Sequence, residues 1–208
     1  MLAELLAHPG VEEVVELRGP FGFMAYHGGS LEEMTDVIAG AAATQAGASY
    51  YGIHQPADLQ WHLPSTMFDP AVSPALAGFI DHVDVVITVH GYGREGLWAS
   101  LLLGGRNRPL AEHVGRYLRR ALPVYDIAVE LDRIPVELRG LHARNPVNLP
   151  RHRGVQLELP PRVRGSSPLW WDWEGPGPTP HTAALIDALA AAARSWPPPS
   201  RSGARYVS

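Results

Sequence analysis

The sequence predicts an α/β fold, a three-layer sandwich around a mixed, mostly parallel sheet. Three observations carry that expectation. Short β-rich segments alternate with longer helical ones along the chain, two of the strand segments end in His-Gly, and no internal repeat interrupts the order. Residues 14–17 read as a short strand, and residues 23–26 as a second that runs directly into His27-Gly28-Gly29. Residues 31–46 carry apolar side chains near helical spacing and many alanines. Ser30 suits the N-cap of that helix, and Glu33, three residues on, completes a capping box. Residues 50–53 read as a strand and 71–80 as a helix. The β-branched run 84–89 is a strand ending at His90-Gly91. Residues 97–103 are apolar and short, which favours a strand. Residues 108–121 read as a helix and 126–130 as a strand. The alternating run 155–159 is a late strand, and 182–196 is a closing helix. Trp170-Trp171-Asp172-Trp173 lies between Gly/Pro clusters and reads as a loop packed over the core.

At 208 residues, one domain with a sizeable core is the default, so residues 1–196 are expected to form one catalytic domain and residues 197–208 a flexible tail. A hydrophobic fraction of 46% with 18% charged residues fits a globular protein. No basic, apolar leader precedes the first strand and no apolar run is long enough for a membrane span, so the default compartment is the cytoplasm and no membrane partner is expected. A net charge of -4 argues against a nucleic-acid partner. There is no cysteine, which excludes disulfides, thiol nucleophiles and Cys-ligated metals. Any metal site must use His, Asp and Glu. There is also no lysine: all 17 basic side chains are arginine, so any cation that grips an acidic substrate is an arginine.

The chemistry concentrates at the two His-Gly strand ends, because open α/β sheets bind ligands at the carboxyl ends of their strands. His27 and His90 stand there, and Glu32 follows His27 by five residues on the first turn of the predicted helix. Two imidazoles and a carboxylate with an open fourth position make the ligand set of a catalytic zinc. Glu158 lies on the late strand, on one face with Gln156 and opposite Val155, Leu157 and Leu159. If the leucines face the core, Glu158 faces the cleft, where it can take a proton from water and pass it to a leaving amine. Structural alternatives stand beside each of these. A histidine at a strand end can be a hydrogen-bonded core residue, acids in a first helical turn can serve the helix dipole, and Glu158 on an edge strand would be solvated. A serine hydrolase is excluded, since His27-Gly28-Gly29 has no G-x-S-x-G elbow to accompany it.

With those residues assembled, the chain resembles the poly-γ-glutamate hydrolase family of zinc enzymes, which share a fold with the zinc carboxypeptidases. The resemblance is carried by His27-Gly28-Gly29-Ser30-Leu31-Glu32, by Val89-His90-Gly91, and by the block from Arg139 to Asn145 leading to Gly154-Val155-Gln156-Leu157-Glu158-Leu159. It implies that His27, Glu32 and His90 ligate zinc, that Glu158 is general base and acid, and that the fold is carboxypeptidase-like. It also implies an acidic peptide or other glutamate-containing substrate. The larger zinc carboxypeptidases have a shorter gap between their first two ligands, and an Asn-Arg clamp before the third. Here Arg144-Asn145 follows His90 in reversed order, so the clamp is not carried over. Arg94, Arg106 and Arg144 are the candidates for gripping a substrate carboxylate, a task suited to the bidentate guanidinium. Two further readings remain open: a zinc amidohydrolase for another acidic amide, such as a peptidoglycan stem peptide or an acyl-amino acid, and a metal-dependent binding protein without catalysis.

Overall fold

A computed structural model of the chain describes residues 1–197. Seven strands form one sheet: β1 (Glu12–Glu16), β2 (Gly19–Gly29), β3 (Ala48–Gln55), β4 (Val85–Gly91), β5 (Ser100–Leu103), β6 (Asp126–Ala128) and β7 (Gly154–Leu159). Their order is β1-β3-β2-β4-β7-β5-β6. The central four are parallel; β1 pairs antiparallel with β3, and β5 antiparallel with β7. Six α-helices accompany them: α1 (Leu2–Leu6), α2 (Thr35–Ala46), α3 (Pro74–His82), α4 (Arg108–Ala121), α5 (Pro161–Arg164) and α6 (Pro180–Ser195). None of the described helices is long and apolar enough to cross a membrane.

Strand alternation builds two cores. Phe23 and Ala25 of β2, Ile87 and Val89 of β4, and Val155, Leu157 and Leu159 of β7 pack with α2, α4 and α6 on one face. Met24 and Tyr26 of β2 and Val86 of β4 pack with α1 and α3 on the other. The sandwich thus has three layers, with a mostly parallel sheet in the middle, as its strand and helix order predicts. Because the leucines of β7 face the first core, Gln156 and Glu158 point to the second face, where both are buried.

After β2 the chain goes outward on one side to β3 and later on the other side to β4. The carboxyl ends of β2 and β4 therefore form a topological switch point, the usual place for a ligand in an open sheet. His27 ends the one strand and His90 the other.

The segment after His27 departs from the sequence reading. Helix α2 begins at Thr35, not at residue 31, because Met34 takes a left-handed conformation (φ 72°) and turns the chain before the helix starts. No capping box forms. The Ser30 hydroxyl donates instead to the carbonyls of Pro56 and Leu59, and the exposed Glu33 lends its carbonyl to Arg164. Glu32 accordingly sits in a turn before the helix, with Thr35 donating from both N–H and hydroxyl to its carbonyl. The tryptophan segment is also corrected. Trp170 ends a 3-10 turn and packs edge-on against His181, but Trp171 is 80% exposed. The predicted flexible tail falls, but for Pro197, outside the described residues.

Gly29 and Gly47 both have positive φ, +71° and +64°, but a Cβ at Gly29 would lie 2.1 Å from the Gln55 carbonyl oxygen while one at Gly47 meets nothing. Gly47→Ala is expected to cost about 1 kcal/mol by denaturant titration, the left-handed penalty alone, and Gly29→Ala distinctly more. Equal losses would mean that the β2–β3 contact gives way freely.

Candidate metal centre and active site

Successive residues of a strand point to opposite faces, yet Tyr26 and His27 both approach His90, with ring centroids 4.9 and 5.1 Å from it. The register of β2 against β3 shifts between Ala25 and Gly28, and a bulge of this kind re-aims a side chain. Gly28 is required there by packing, since a Cβ would lie 2.6 Å from Asp36 Cβ. Gly91 has a different reason: its missing side chain leaves room for the Arg164 guanidinium, 2.9 Å from where a Cβ would stand.

Glu32 lies between the two imidazoles. Its Oε1 is 2.9 Å from His27 Nδ1, its Oε2 is 3.3 Å from His90 Nδ1, and Gly91 N–H donates to Oε2 at 2.9 Å. The opposite ring nitrogens are engaged elsewhere. His27 Nε2 donates to the Leu63 carbonyl at 2.8 Å. The Tyr26 hydroxyl donates to Asn145 Oδ1 at 3.2 Å, so it accepts from His90 Nε2 at 3.1 Å. With Nε2 carrying the hydrogen, each neutral ring turns the lone pair of Nδ1 toward the carboxylate. Lone pairs and a carboxylate converge favourably only around positive charge. Without a metal that charge must be a proton, and the titration directions agree. Burial opposes it, but Glu32 outweighs burial and raises the His90 pKa; burial likewise opposes ionisation of Glu32, but His90 and His27 hold its pKa well below the usual carboxylate range. Two Nδ1 atoms facing one carboxylate are donors of the types that a zinc ion takes; among the described residues, the ligand atoms that lie within 4.8 Å of one another are those of His27, Glu32 and His62, with His90 reaching only the far carboxylate oxygen.

Glu158 stands beside His90 in the β4–β7 register. It is 4% exposed, and burial, reinforced by the charge of Glu32, pushes its pKa up to about 7 despite the opposing effect of His90. Its Oε1 accepts from Gln156 Nε2 at 2.8 Å, and Gln156 Oε1 accepts from Asn145 Nδ2 at 2.8 Å. An oriented chain of hydrogen bonds thus runs from His90 through Tyr26, Asn145 and Gln156 to Glu158. Behind it, Arg164 is buried, donates to the carbonyls of Leu159 and Glu33, and carries a pKa that burial lowers against the pull of Glu32, Glu33 and Glu158.

The three arginines singled out by sequence are not brought together. Arg94 follows β4 at the histidine end and pairs with Glu137 at 2.5 Å in solvent. Arg144 is exposed, next to the inward-turned Asn145. Arg106 sits at the far end of β7, because β5 runs antiparallel to it: Asn107 N–H bonds the Gly154 carbonyl, and Arg106 Nε donates to the Leu141 carbonyl. It lines a separate cavity with Gly19, Asp84, Arg151 and His152. His62 was not foreseen. It is exposed, its ring centroid is 4.9 Å from that of His27, and partial burial and His27 lower its pKa. It comes from a loop without strand or glycine pattern, so no sequence signal marks it. Gln156 was placed on the face of Glu158, but its bridging role depends on Asn145, distant in sequence.

The folded state holds the Glu158 proton more tightly than an unfolded chain, so the buried carboxylate costs stability as pH rises from about 4.5 toward about 7. In chelator-treated protein, Glu158→Gln is expected to match the parent near pH 4 and to exceed it near pH 8 by up to about 3 kcal/mol in thermal or denaturant unfolding. A difference independent of pH would contradict the buried, raised carboxyl.

Known proteins share this arrangement of chain. The sequence profile described as poly-gamma-glutamate hydrolase matches residues 4–167. No curated protein matches the sequence significantly. Among solved structures, a bacteriophage poly-gamma-glutamate hydrolase superposes with a TM-score of 0.72 at 21% identity, over 88% of this chain and 87% of that one. YNDL in its apo, zinc-free form gives 0.72 at 19% identity, over 89% and 90%. A protein from Burkholderia mallei described as a carboxypeptidase gives 0.52 at 12% identity, over 94% of this chain and 66% of that one. The fold is therefore carboxypeptidase-like, and with the profile spanning well over half of the 208 residues, this chain belongs to the poly-γ-glutamate hydrolase family.

Proposed function

We propose that this hydrolase is a zinc-dependent amide hydrolase acting beside glutamate-like residues, with poly-γ-glutamate as the substrate class. The observation that carries the reading is the convergence of His27 Nδ1, His90 Nδ1 and Glu32 at one end of the sheet, with the buried Glu158 adjacent on the same face. His27, Glu32 and His90 would hold the zinc, which when bound would supply Lewis acidity toward an amide carbonyl and a water molecule. Glu158, with a pKa pushed to about 7 before any cation is considered, is tuned to accept a proton from water at neutral pH and return it to the leaving nitrogen. Gln156 holds the carboxylate in place by donating from its Nε2 to Glu158 Oε1. A neighbouring cation would bring that raised pKa back down, keeping Glu158 ionised as a base.

Substrate carboxylates would meet Arg94, in the loop that follows β4, and the exposed Arg144, next to the Asn145 that bonds Tyr26. Arg106 is not included, since it lies at the far end of β7. The bacteriophage relative bears the name of the polymer it hydrolyses, and family membership supports the same class here.

Metal analysis of the purified chain is expected to give about one zinc per chain, lost in His27→Ala. Glu158→Gln should retain the zinc but lose roughly 10²–10⁴-fold in kcat on γ-linked glutamate oligomers. A folded native chain without zinc, or a Glu158→Gln variant with full activity, contradicts the mechanism. Cleavage of α-linked but not γ-linked oligomers would redirect the substrate assignment.

A further inference from the structure

His62 stands in the long connection from β3 to α3, which spans residues 56–73. The backbone on either side of it is pinned. Gln55 holds Trp61 by two hydrogen bonds, from Nε2 to the Trp61 carbonyl at 3.0 Å and from the Trp61 N–H to Oε1 at 2.8 Å. Leu63 is buried in the second core, and its carbonyl accepts from His27. Between these anchors the His62 side chain is exposed, and among the described residues no hydrogen bond engages either ring nitrogen. The contrast with His27 and His90 is plain, since both of those rings are buried and braced at Nε2.

His27, Glu32 and His62 each place a ligand atom within 4.8 Å of the others. His90 lies outside that group but faces the other oxygen of the same carboxylate, with Nδ1 3.3 Å from Oε2. Four protein donors around one cation would make a closed site, whereas hydrolysis needs an open position. The conflict resolves if one donor can leave. Three of the four are locked by strand ends and hydrogen bonds. The fourth is a solvent-exposed ring on a loop, which can change rotamer without disturbing its pinned backbone.

We propose that His62 is a displaceable fourth ligand of the metal centre: it closes the site in the substrate-free protein and swings out when an acidic amide substrate enters. The proposal rests on the metal centre described under the proposed function. It explains why a loop with two separate anchors presents an imidazole with no other partner. A closed resting site also protects the metal from competing chelators.

The test uses cobalt as a spectroscopic substitute for zinc, on the full chain and on His62→Ala. Substrate-free native protein is expected to show the intense visible absorption of a closed four-coordinate site. His62→Ala should show a weaker, altered spectrum and bind the metal at least about tenfold less tightly against a competing chelator. Adding a γ-linked glutamate oligomer to a Glu158→Gln background should shift the spectrum of the chain bearing His62 and leave that of the doubly substituted chain nearly unchanged. Identical spectra and affinities with and without His62 overturn the proposal while leaving the three-ligand centre intact. An unchanged metal affinity with a raised KM in His62→Ala also overturns it, assigning His62 to substrate contact instead. A native chain that binds no cobalt or zinc removes both the proposal and the function on which it rests.

Discussion

A carboxylate that is only 12% exposed and faces two imidazole rings constrains everything around it. Glu32 cannot be held there as a bare charge. It takes the Gly91 N–H from the end of β4, faces Nδ1 of His27 at the end of β2, and faces Nδ1 of His90 on β4. Its backbone is tied as tightly: its N–H reaches the His27 carbonyl, and its own carbonyl accepts twice from Thr35. The left-handed Met34, the late start of α2 and the Arg164 contact to the Glu33 carbonyl all serve to hold this turn against the sheet. Distances near 3 Å between one carboxylate and two nitrogen lone pairs call for a positive charge among them.

The second consequence is the state of Glu158. It is buried one strand away from an anionic carboxylate, so its own ionisation is disfavoured, and only an added positive charge or solvent entry relieves it. Two carboxyl groups in one pocket are thereby driven apart. Glu32 is held ionised by its imidazoles, while Glu158 is tuned toward neutrality. Separating two acids by environment is a common way for a fold to assign a ligand role to one and a proton-transfer role to the other. The chain through Tyr26, Asn145 and Gln156 links His90 to Glu158, since it fixes the His90 tautomer at one end and the Glu158 orientation at the other. The apolar faces of β2, β4 and β7, packed on both sides, stabilise the fold against the cost of burying these polar groups.

Much of this was legible in the sequence. The period of β7 places Glu158 opposite Val155, Leu157 and Leu159, and that placement is the observed one. The His-Gly strand ends marked the switch point before its topology was known. The sequence puts Glu32 on a helix, because alanine content and a Ser-to-Glu spacing favour helix locally while a left-handed Met34 has no local signature. Arg106 looked suitable from its glycine turn. Its position was decided by the antiparallel direction of β5, which no residue pattern announces. Asn145 and His62 act through contacts with segments far away in the chain, and a lone Asn or His in a loop carries no periodicity to read.

The proposed function stands or falls with one divalent cation held among His27, Glu32 and His90. Anomalous diffraction at the zinc edge, from crystals of the chain grown with zinc, locates that cation without assumptions about its ligands. One strong peak is expected, bounded by His27 Nδ1, His90 Nδ1 and a Glu32 carboxylate oxygen, beside Glu158. A folded chain with no peak there, or with its zinc bound at another cluster, would contradict it.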